Sequence, residues 1–470
     1  MKICLLTYRG NPYCGGQGIY TAELGRALAR RGHEVHAVTG PPYPPPVPGV
    51  TWHRVPGLNL LDGPTVVNGA EPYPVPGDPL SAFTPLHLYE KTAASLGIFP
   101  EMAAFSVRAF WTVRRLLRRH AFDVIHDNQT LGWGLLPLKW LGVPLVATIH
   151  HPLTVDRERG FDPPGVLAER WRMALFHPIP MQAFVARRIA PIITVSEASR
   201  ARIAADFRVP AARIRLVYNG VDTARFRPRP EIRRVRGRVL YVGNLEDRNK
   251  GGRYLLEAAA RFKPGAELLV ATGALSRGSW VHAEVARLGL AGRIAFRLHV
   301  AQEELAELYA TAEVAVCASL FEGFGFPAAE AMASGLPLVA ARGGALPEVV
   351  GDAGVLVPVA DGAALADAVN ALLDDPQRRE RLGRLARERV LARFQWDQAA
   401  ALTEAVYREA LHCETVYREA VDRWAVDREA GCREAVHREA LHRGTPHGVA
   451  GNPAGENGAA PEEDVPRADH

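Results

Sequence analysis

Two carboxylates, Glu322 and Glu330, stand eight residues apart in Ser319-Leu320-Phe321-Glu322-Gly323-Phe324-Gly325-Phe326-Pro327-Ala328-Ala329-Glu330. Pro327 suits a first helical position, where its missing N–H is no loss. That spacing predicts Glu322 in the loop ahead of a helix and Glu330 in its first turn. The free N–H groups of such a turn, with the flanking glycines, let an anion come close to the backbone. A carboxylate on each side can then hold hydroxyl groups of a ribose or a hexose. A second stretch, Tyr241-Val242-Gly243-Asn244-Leu245-Glu246-Asp247-Arg248-Asn249-Lys250-Gly251-Gly252, offers cations instead. Arg248 and Lys250 can set two charges against a diphosphate, where fixed positive charge stabilises a leaving group that is gaining negative charge. Arginine supplies nearly all the positive charge of this chain, yet a lysine stands at 250.

Two further groups belong to the first half of the chain. His150 closes the apolar run Val146-Ala147-Thr148-Ile149 and is followed by a competing His151. A histidine there is either a hydrogen-bonded structural group or a site residue. The turn Asn11-Pro12-Tyr13-Cys14-Gly15-Gly16-Gln17-Gly18 follows the first apolar run, and its amides, Gly16 among them, would face the mouth of a parallel sheet. Simple tight-turn geometry explains such glycines equally well. Several chemistries are disfavoured. Gly16-x-Gly18 is followed by Thr21 where a dinucleotide fingerprint has Gly or Ala, and the second apolar run closes on Thr39-Gly40 with no ribose-binding acid. No phosphate-binding Gly-x-x-x-x-Gly-Lys loop, no Gly-x-Ser-x-Gly elbow, no suitably placed Asp-x-Asp pair and no zinc-type His/Cys spacing occurs. Neither a metal ligand set nor a cofactor is expected.

These residues need sheet edges to carry them. Apolar runs at Lys2–Thr7, Glu34–Thr39, Asp123–His126, Leu145–His150 and Pro191–Val195 alternate with amphipathic stretches such as Gly18–Arg31. The pattern restarts at Arg238–Val242 and continues through Glu267–Ala271, Arg293–Phe296, Glu313–Ala318 and Leu338–Ala341. Such alternation predicts right-handed β-α-β units and parallel sheets. The expected fold class is α/β, with two doubly wound, Rossmann-like domains hinged in the Arg- and Pro-rich segment from Asn219 to Arg236. A chain of 470 residues with 48% hydrophobic content suits two cores better than one.

Three segments break the pattern. Pro41 to Pro48 is dense in proline, and an irregular stretch runs on to about Gly77, long enough to cover an acceptor site. Arg108 to His120 is a basic amphipathic helix, read either as a solvated face or as a membrane-surface contact. Ala405–His412 recurs as Ala435–His442, with Arg-Glu-Ala repeated between them, and Gly444–His470 has the composition of a disordered tail. The first residues read as a buried strand and not as a signal peptide. The apolar region Trp133–Ile149 is broken by Pro137, Lys139 and Pro144 and is a poor membrane span. A formal charge of +5 fits an anionic small molecule or acidic lipid and does not call for nucleic acid. Five scattered cysteines fit a reducing cytoplasm.

Taken in order, the pieces resemble the retaining glycosyltransferases of family 4, which have the GT-B fold: two Rossmann-like domains facing across a cleft. The resemblance runs from about Met1 to Leu411. It rests on Gly15-Gly16, Gly32-His33-Glu34-Val35, Phe122–His126, Thr148-Ile149-His150, Val195-Ser196-Glu197, Val217–Asp222, Lys250-Gly251, Glu322–Glu330 and Gly343–Glu348. It implies an acceptor-side domain at 1–225, completed by a crossing helix near 395–411 that begins at Phe394-Gln395-Trp396. It implies a donor domain at 226–394, with a helical extension (412–443) and a tail (444–470) outside the usual pattern. By the same resemblance Glu330 binds ribose, Glu322 lies at the transferred sugar and Lys250 at the diphosphate. Phe324 and Gly325 meet sugar or phosphate, His299 and Val300 lie by the base, Gly16 reaches the phosphate and His150 the sugar. Many members carry Gly-Arg where this chain has Gly243-Asn244; Asn244 takes that place in the donor set, and Arg248 stands in for the missing charge.

The reaction implied is transfer from a nucleoside-diphosphate sugar to a hydroxyl acceptor, lipid-linked or free, with retained configuration and no obligatory metal. The implied setting is cell-envelope polysaccharide assembly in the cytoplasm, at most peripheral to the inner face of a membrane. A nucleotide-sugar epimerase, a non-catalytic sugar-nucleotide binder and, more distantly, a nicotinamide-dependent oxidoreductase are the competing readings.

Overall fold

In the computed structural model, residues 1–11, 16–57, 85–95, 99–160, 178–273, 275–276 and 278–415 are described. The first lobe carries β1 (Lys2–Thr7), β2 (Glu34–Thr39), β3 (Val50–Arg54), β4 (Val124–Asn128), β5 (Leu145–Ile149), β6 (Ile192–Thr194) and β7 (Ile214–Leu216). The second carries β8 (Arg238–Val242), β9 (Glu267–Thr272), β10 (Ile294–Leu298), β11 (Val314–Cys317), β12 (Leu338–Ala341) and β13 (Val355–Val357). Every neighbouring pair is parallel, in the orders β3-β2-β1-β4-β5-β6-β7 and β10-β9-β8-β11-β12-β13. The central strands are near-continuous apolar runs because helices cover both faces; Ile3, Cys4, Leu5 and Leu6 are all buried. Both orders reverse at one place, between β1 and β4 and between β8 and β11. At such a point the loops leaving two neighbouring strands diverge and open a crevice at their carboxyl ends. Gly16 and Asn128 follow β1 and β4; Lys250 and Glu322 follow β8 and β11.

Sequence patterning located the central strands and missed β3, β7 and β13. Each of the three is a sheet edge. Edge strands are covered on fewer sides, so a charged residue such as Arg215 or Arg54 is tolerated and the apolar run shortens below recognition. β3 lies inside the stretch read as irregular from Pro41 to Gly77; that reading is corrected for Val50–Arg54, while 58–84 lie outside the described residues. The helix read at Arg108–His120 begins earlier and spans Glu101–Leu116.

A helix at 396–415 returns to the first lobe. Its Trp396, Ala399, Ala400, Val406, Tyr407 and Ala410 share a buried cluster with Ile3, Leu5 and Val124 of the first sheet. Gly220 admits the start of this helix: a Cβ there would lie 2.3 Å from the Trp396 backbone nitrogen. The two sheets belong to one compact unit, Met1–Cys413; of the extension read at 412–443 only 412–415 are described, and its remainder and the tail lie outside the described residues.

Candidate active site

The cationic turn is built by local bonds. Asp247 caps the single turn Arg248–Lys250, its Oδ1 accepting the Asn249 N–H at 2.9 Å. Gly251 then takes φ +67°, and a Cβ there would lie 2.1 Å from the Ala318 carbonyl oxygen, so glycine is required by both conformation and space. This close approach, with the Leu320 N–H donating to the Asn249 carbonyl at 2.8 Å, locks the β8 turn against the β11 loop. The result brings Lys250 Nζ to 2.8 Å from Glu322 Oε1. Ser319 Oγ donates to the same oxygen at 2.7 Å. Burial is the largest single influence on the Lys250 ammonium and works against its charge, but Glu322 and Asp247 outweigh it and hold its pKa above the ordinary value. From sequence, Lys250 was set at a diphosphate and Glu322 at a sugar; the structure pairs the two directly.

The helix carrying Glu330 spans Phe326–Ala333 and starts one residue earlier than Pro327 alone suggests. Gly325, at φ +92°, forms its N-cap, which puts Pro327 second and Glu330 beyond the first turn; the sequence-based placement is corrected by that one residue. Glu330 is buried and accepts Tyr309 OH at 3.1 Å. Desolvation pushes its pKa up to about 8, against the smaller opposing effects of Tyr309 and Arg225. Phe324 is buried against Phe394, 5.6 Å between ring centroids. Asn244 is exposed, its Oδ1 taken by the Glu246 N–H at 2.9 Å, and Arg248 is exposed on the capped turn. His299 ends the edge strand β10 at φ +53°, exposed, with its N–H on the Thr272 carbonyl at 3.1 Å; Val300 packs partly against the second core.

The first lobe contributes uncharged groups. His150 Nε2 lies 2.7 Å from Asn128 Oδ1. The Asn128 amide cannot turn over, because its Nδ2 donates to the Gln17 carbonyl at 3.0 Å and to Thr21 Oγ1 at 2.8 Å. Nε2 of His150 therefore carries the proton, and Nδ1 presents a lone pair with no hydrogen-bond partner among the described residues. Burial, then His151 and His126, lowers the His150 pKa to about 3, so the ring is neutral. Its backbone N–H donates to Gln129 Oε1 at 2.6 Å, and Tyr20 meets the ring edge-on at 4.8 Å. Tyr20 OH is tied through Thr148 (2.8 Å) and His126 (2.7 Å) to Tyr407 OH (2.6 Å) on the returning helix.

The lobes meet at this point. A Cβ on Gly323 would lie 2.8 Å from the His150 carbonyl oxygen, and one on Gly16 would lie 3.2 Å from the Phe326 ring. Asn249 Nδ2 donates to Asp156 Oδ1 at 2.8 Å, and Asp156 Oδ2 lies 3.1 Å from His151 Nε2. Glu348 accepts the N–H groups of Glu197 and Ala198 (2.9 and 3.1 Å), filling the amino end of helix Glu197–Asp206. The structure thus gathers Gly16, His150, Lys250, Glu322, Phe324 and Gly325 around one junction. Ser319, Tyr309, Asn128, Gln129 and Asp156 were not singled out from sequence. The polar run Asp127-Asn128-Gln129-Thr130 at the carboxyl end of the apolar run of β4 was a usable signal, and the structure buries all four; Tyr309, on a helix distant in sequence, gave none.

Comparison with known proteins agrees with the fold. Residues 73–225 match the model of Glycosyltransferase Family 4, and 236–375 match that of Glycosyl transferases group 1. The chain is 42% identical over 420 residues to the MMP α-(1→4)-mannosyltransferase of Mycolicibacterium hassiacum, covering 87% of this chain and 98% of that one. It is 32% identical to a D-inositol 3-phosphate glycosyltransferase of Acidothermus cellulolyticus, with 84% and 85% covered. Among solved structures, sucrose-phosphate synthase from Thermosynechococcus elongatus superposes with a TM-score of 0.67 at 25% identity, covering 88% of this chain and 99% of that one.

Proposed function

We propose that this chain, which belongs to the family 4 glycosyltransferases, moves a hexosyl group from a nucleoside-diphosphate sugar to a saccharide hydroxyl with retention of anomeric configuration. The observation that carries the reading is the Lys250–Glu322 pair at the carboxyl edge of the second sheet, placed against His150 of the first through Gly323. A donor diphosphate replaces Glu322 as the partner of Lys250. Arg248 and the amide N–H groups around Gly325 and Gly16 add to that cation, so charge building on the leaving group meets donors already in place. Glu322, still held by Ser319, then takes sugar hydroxyls. His150 Nδ1 accepts another, and Glu330 takes the ribose diol. The acceptor oxygen attacks on the face from which the diphosphate departs, with positioning between the lobes as the second contribution. No side chain is assigned as a nucleophile. Fixed cations supply the neutralisation that a bridging metal supplies elsewhere, so no metal is required for turnover.

Similarity to an α-mannosyltransferase supports an α-linked hexose donor, mannosyl first, and an α-linked product. It also supports a role in assembling a cell-envelope saccharide in the cytoplasm. No helix among the described residues is long and apolar enough to cross a membrane. A peripheral contact is supported by helix Glu101–Leu116, which exposes Trp111 beside Arg114 and Arg115. The test is product analysis with GDP-mannose, UDP-glucose and ADP-glucose against saccharide acceptors, with anomeric configuration read by NMR. An α-glycosylated acceptor supports the reading. A donor isomerised, a donor bound but never consumed, a β-linked product, or turnover abolished by chelator in protein that stays folded overturns it.

A further inference from the structure

At the amino end of the first sheet, remote from the crevice at its carboxyl end, four side chains with metal-binding atoms converge. Glu34 and His36 are two apart on β2 and so share a face. His53 lies on neighbouring β3, and His120 lies within the segment between helix Glu101–Leu116 and β4. His36 Nε2 is 2.9 Å from Glu34 Oε1, and His36 Nδ1 is 2.9 Å from His53 Nε2. The His120 ring centroid is 4.5 Å from that of His36. One ligand atom each from Glu34, His36 and His120 all fall within 4.8 Å of one another. His120 makes no side-chain hydrogen bond among the described residues, so its ring nitrogens are uncommitted.

We propose that Glu34, His36 and His120 form a site for a divalent transition metal of the zinc type, with His53 holding His36 in the ligating tautomer. Donors about 2.0–2.2 Å from a tetrahedral ion stand roughly 3.4 Å apart. Reaching that spacing requires a slight opening between His36 and Glu34 and an inward swing of His120, which is half-buried, and of Glu34, which is exposed. Two imidazoles and one carboxylate suit zinc and its neighbours and suit magnesium or calcium poorly. The outer contact is in place; because Glu34 Oε1 can only accept, metal binding moves the His36 proton from Nε2 to Nδ1 and turns His53 to its Nδ1–H tautomer. With Nε2 on the metal, His36 Nδ1–H donates to His53 Nε2, as ligating histidines do to a second partner. Lys2 Nζ, 3.0 Å from Glu34 Oε2, holds the carboxylate's outer oxygen and leaves Oε1 to ligate. Linear spacing gave no sign of such a site, because its ligands come from positions 34, 36 and 120 and only the sheet unites them. The metal would fasten β2 to the approach of β4 across the intervening β1. Without a metal, the same groups make a plain hydrogen-bonded histidine cluster.

The experiment titrates chelator-stripped full-length protein with Co²⁺, read by its visible absorption, followed by Zn²⁺ displacement. One tight equivalent with the intense bands of tetrahedral cobalt is expected. The double variant Glu34→Gln/His120→Asn should bind at least ~100-fold more weakly, and His53→Asn should lose ~10–100-fold. Both ligand positions are incompletely buried, so the double variant should fold, checked by a metal-free thermal midpoint close to that of the parent. Zn²⁺ should raise the midpoint of the parent and leave that of the double variant unmoved. Equal cobalt titrations for parent and double variant would place any metal elsewhere and overturn the site, as would weak octahedral bands or no binding by the parent.

Discussion

Gly323→Ala isolates the meeting of the two lobes from the chemistry of either. The Gly323 backbone needs no positive φ, so alanine brings only volume. Its Cβ would stand 2.8 Å from the His150 carbonyl oxygen and 3.3 Å from His151 Nδ1. Carbon–oxygen contacts of this kind settle at roughly 3.3–3.6 Å, so about half an ångström or more must be found. A flexible tip cannot yield it, because the obstacle is backbone held on both sides: the His150 N–H on Gln129 and the His150 carbonyl under Ser199 Oγ at 2.6 Å. The lobes must therefore part slightly. Reacting constellations tolerate about 0.5 Å, and a misplacement of 1 Å costs on the order of 100-fold. Half that displacement predicts a fall of roughly tenfold in kcat, about 1.4 kcal/mol of barrier. Calorimetric affinity for the free nucleoside diphosphate should stay within about twofold, since the base, ribose and most phosphate contacts proposed above are assigned to the second lobe. A kcat equal to that of the parent would refute the reasoning, and so would an affinity loss as large as the loss in kcat.

Three further outcomes follow from the same geometry. Glu330→Gln should weaken nucleoside-diphosphate binding at least ~10-fold at pH 8.5, since each hydrogen bond to a carboxylate contributes about 1.5–3 kcal/mol. The gap should narrow towards pH 6, because the parent's carboxyl titrates at about 8 and binding to its anion must then release a proton; parallel calorimetric pH profiles would remove Glu330 from the ribose. With the folded pKa raised, burying this acid costs nothing below its ordinary value of 4.5, costs progressively more as pH rises, and levels off above about 8, so the stability advantage of the glutamine variant should grow between those two values and then stay constant. Lys250→Met should lower kcat by ~100–1,000-fold and lower the thermal midpoint by leaving Glu322 without its cation; adding Glu322→Gln should restore the midpoint and not the turnover, whereas a restored turnover would deny Lys250 a role at the diphosphate. Arg248→Ala should reduce both donor affinity and turnover if Arg248 replaces the arginine absent at Asn244, and unchanged values in a steady-state assay would end that idea.

The readable parts of the sequence are those where physics acts locally. β1, β2, β8 and β12 were found with both ends correct because strands buried on two faces show as unbroken apolar runs. Pro327 and Gly325 fixed the helix start to within one residue, since a fixed φ and a left-handed φ leave few alternatives. Lys250 and Glu322 could each be singled out by type and by position after a strand. Their direct bond could not, because it depends on β11 lying beside β8, a choice made by the whole sheet. The same holds for Tyr309 on Glu330 and for Tyr407, which reaches His126 from 281 residues away. Polar partners of a site are read poorly from sequence when their elements are united only by topology.

That topology divides the work at the junction. Around His150 the first lobe presents uncharged, hydrogen-bonded groups: His150 is fixed by Asn128, Asn128 by Gln17 and Thr21, and the ring is braced by Tyr20, itself tied through Thr148 and His126 to Tyr407. A buried histidine at that edge would lose its use if protonated, since an imidazolium offers no lone pair and would repel Lys250. Desolvation prevents this, and the fixed Asn128 amide selects the one neutral tautomer that leaves Nδ1 free to accept. On the second lobe the ammonium of Lys250 is paired with Glu322, and on the proposed reading a donor diphosphate takes the place of Glu322. An unpaired lysine at the same place would leave a half-buried charge without a partner. On the proposed reading, a sugar diphosphate is favoured over a diphosphate without the sugar, because its hydroxyl groups can satisfy the carboxylate that Lys250 releases. The ion pair would then add to selectivity for a sugar-bearing diphosphate before the acceptor enters.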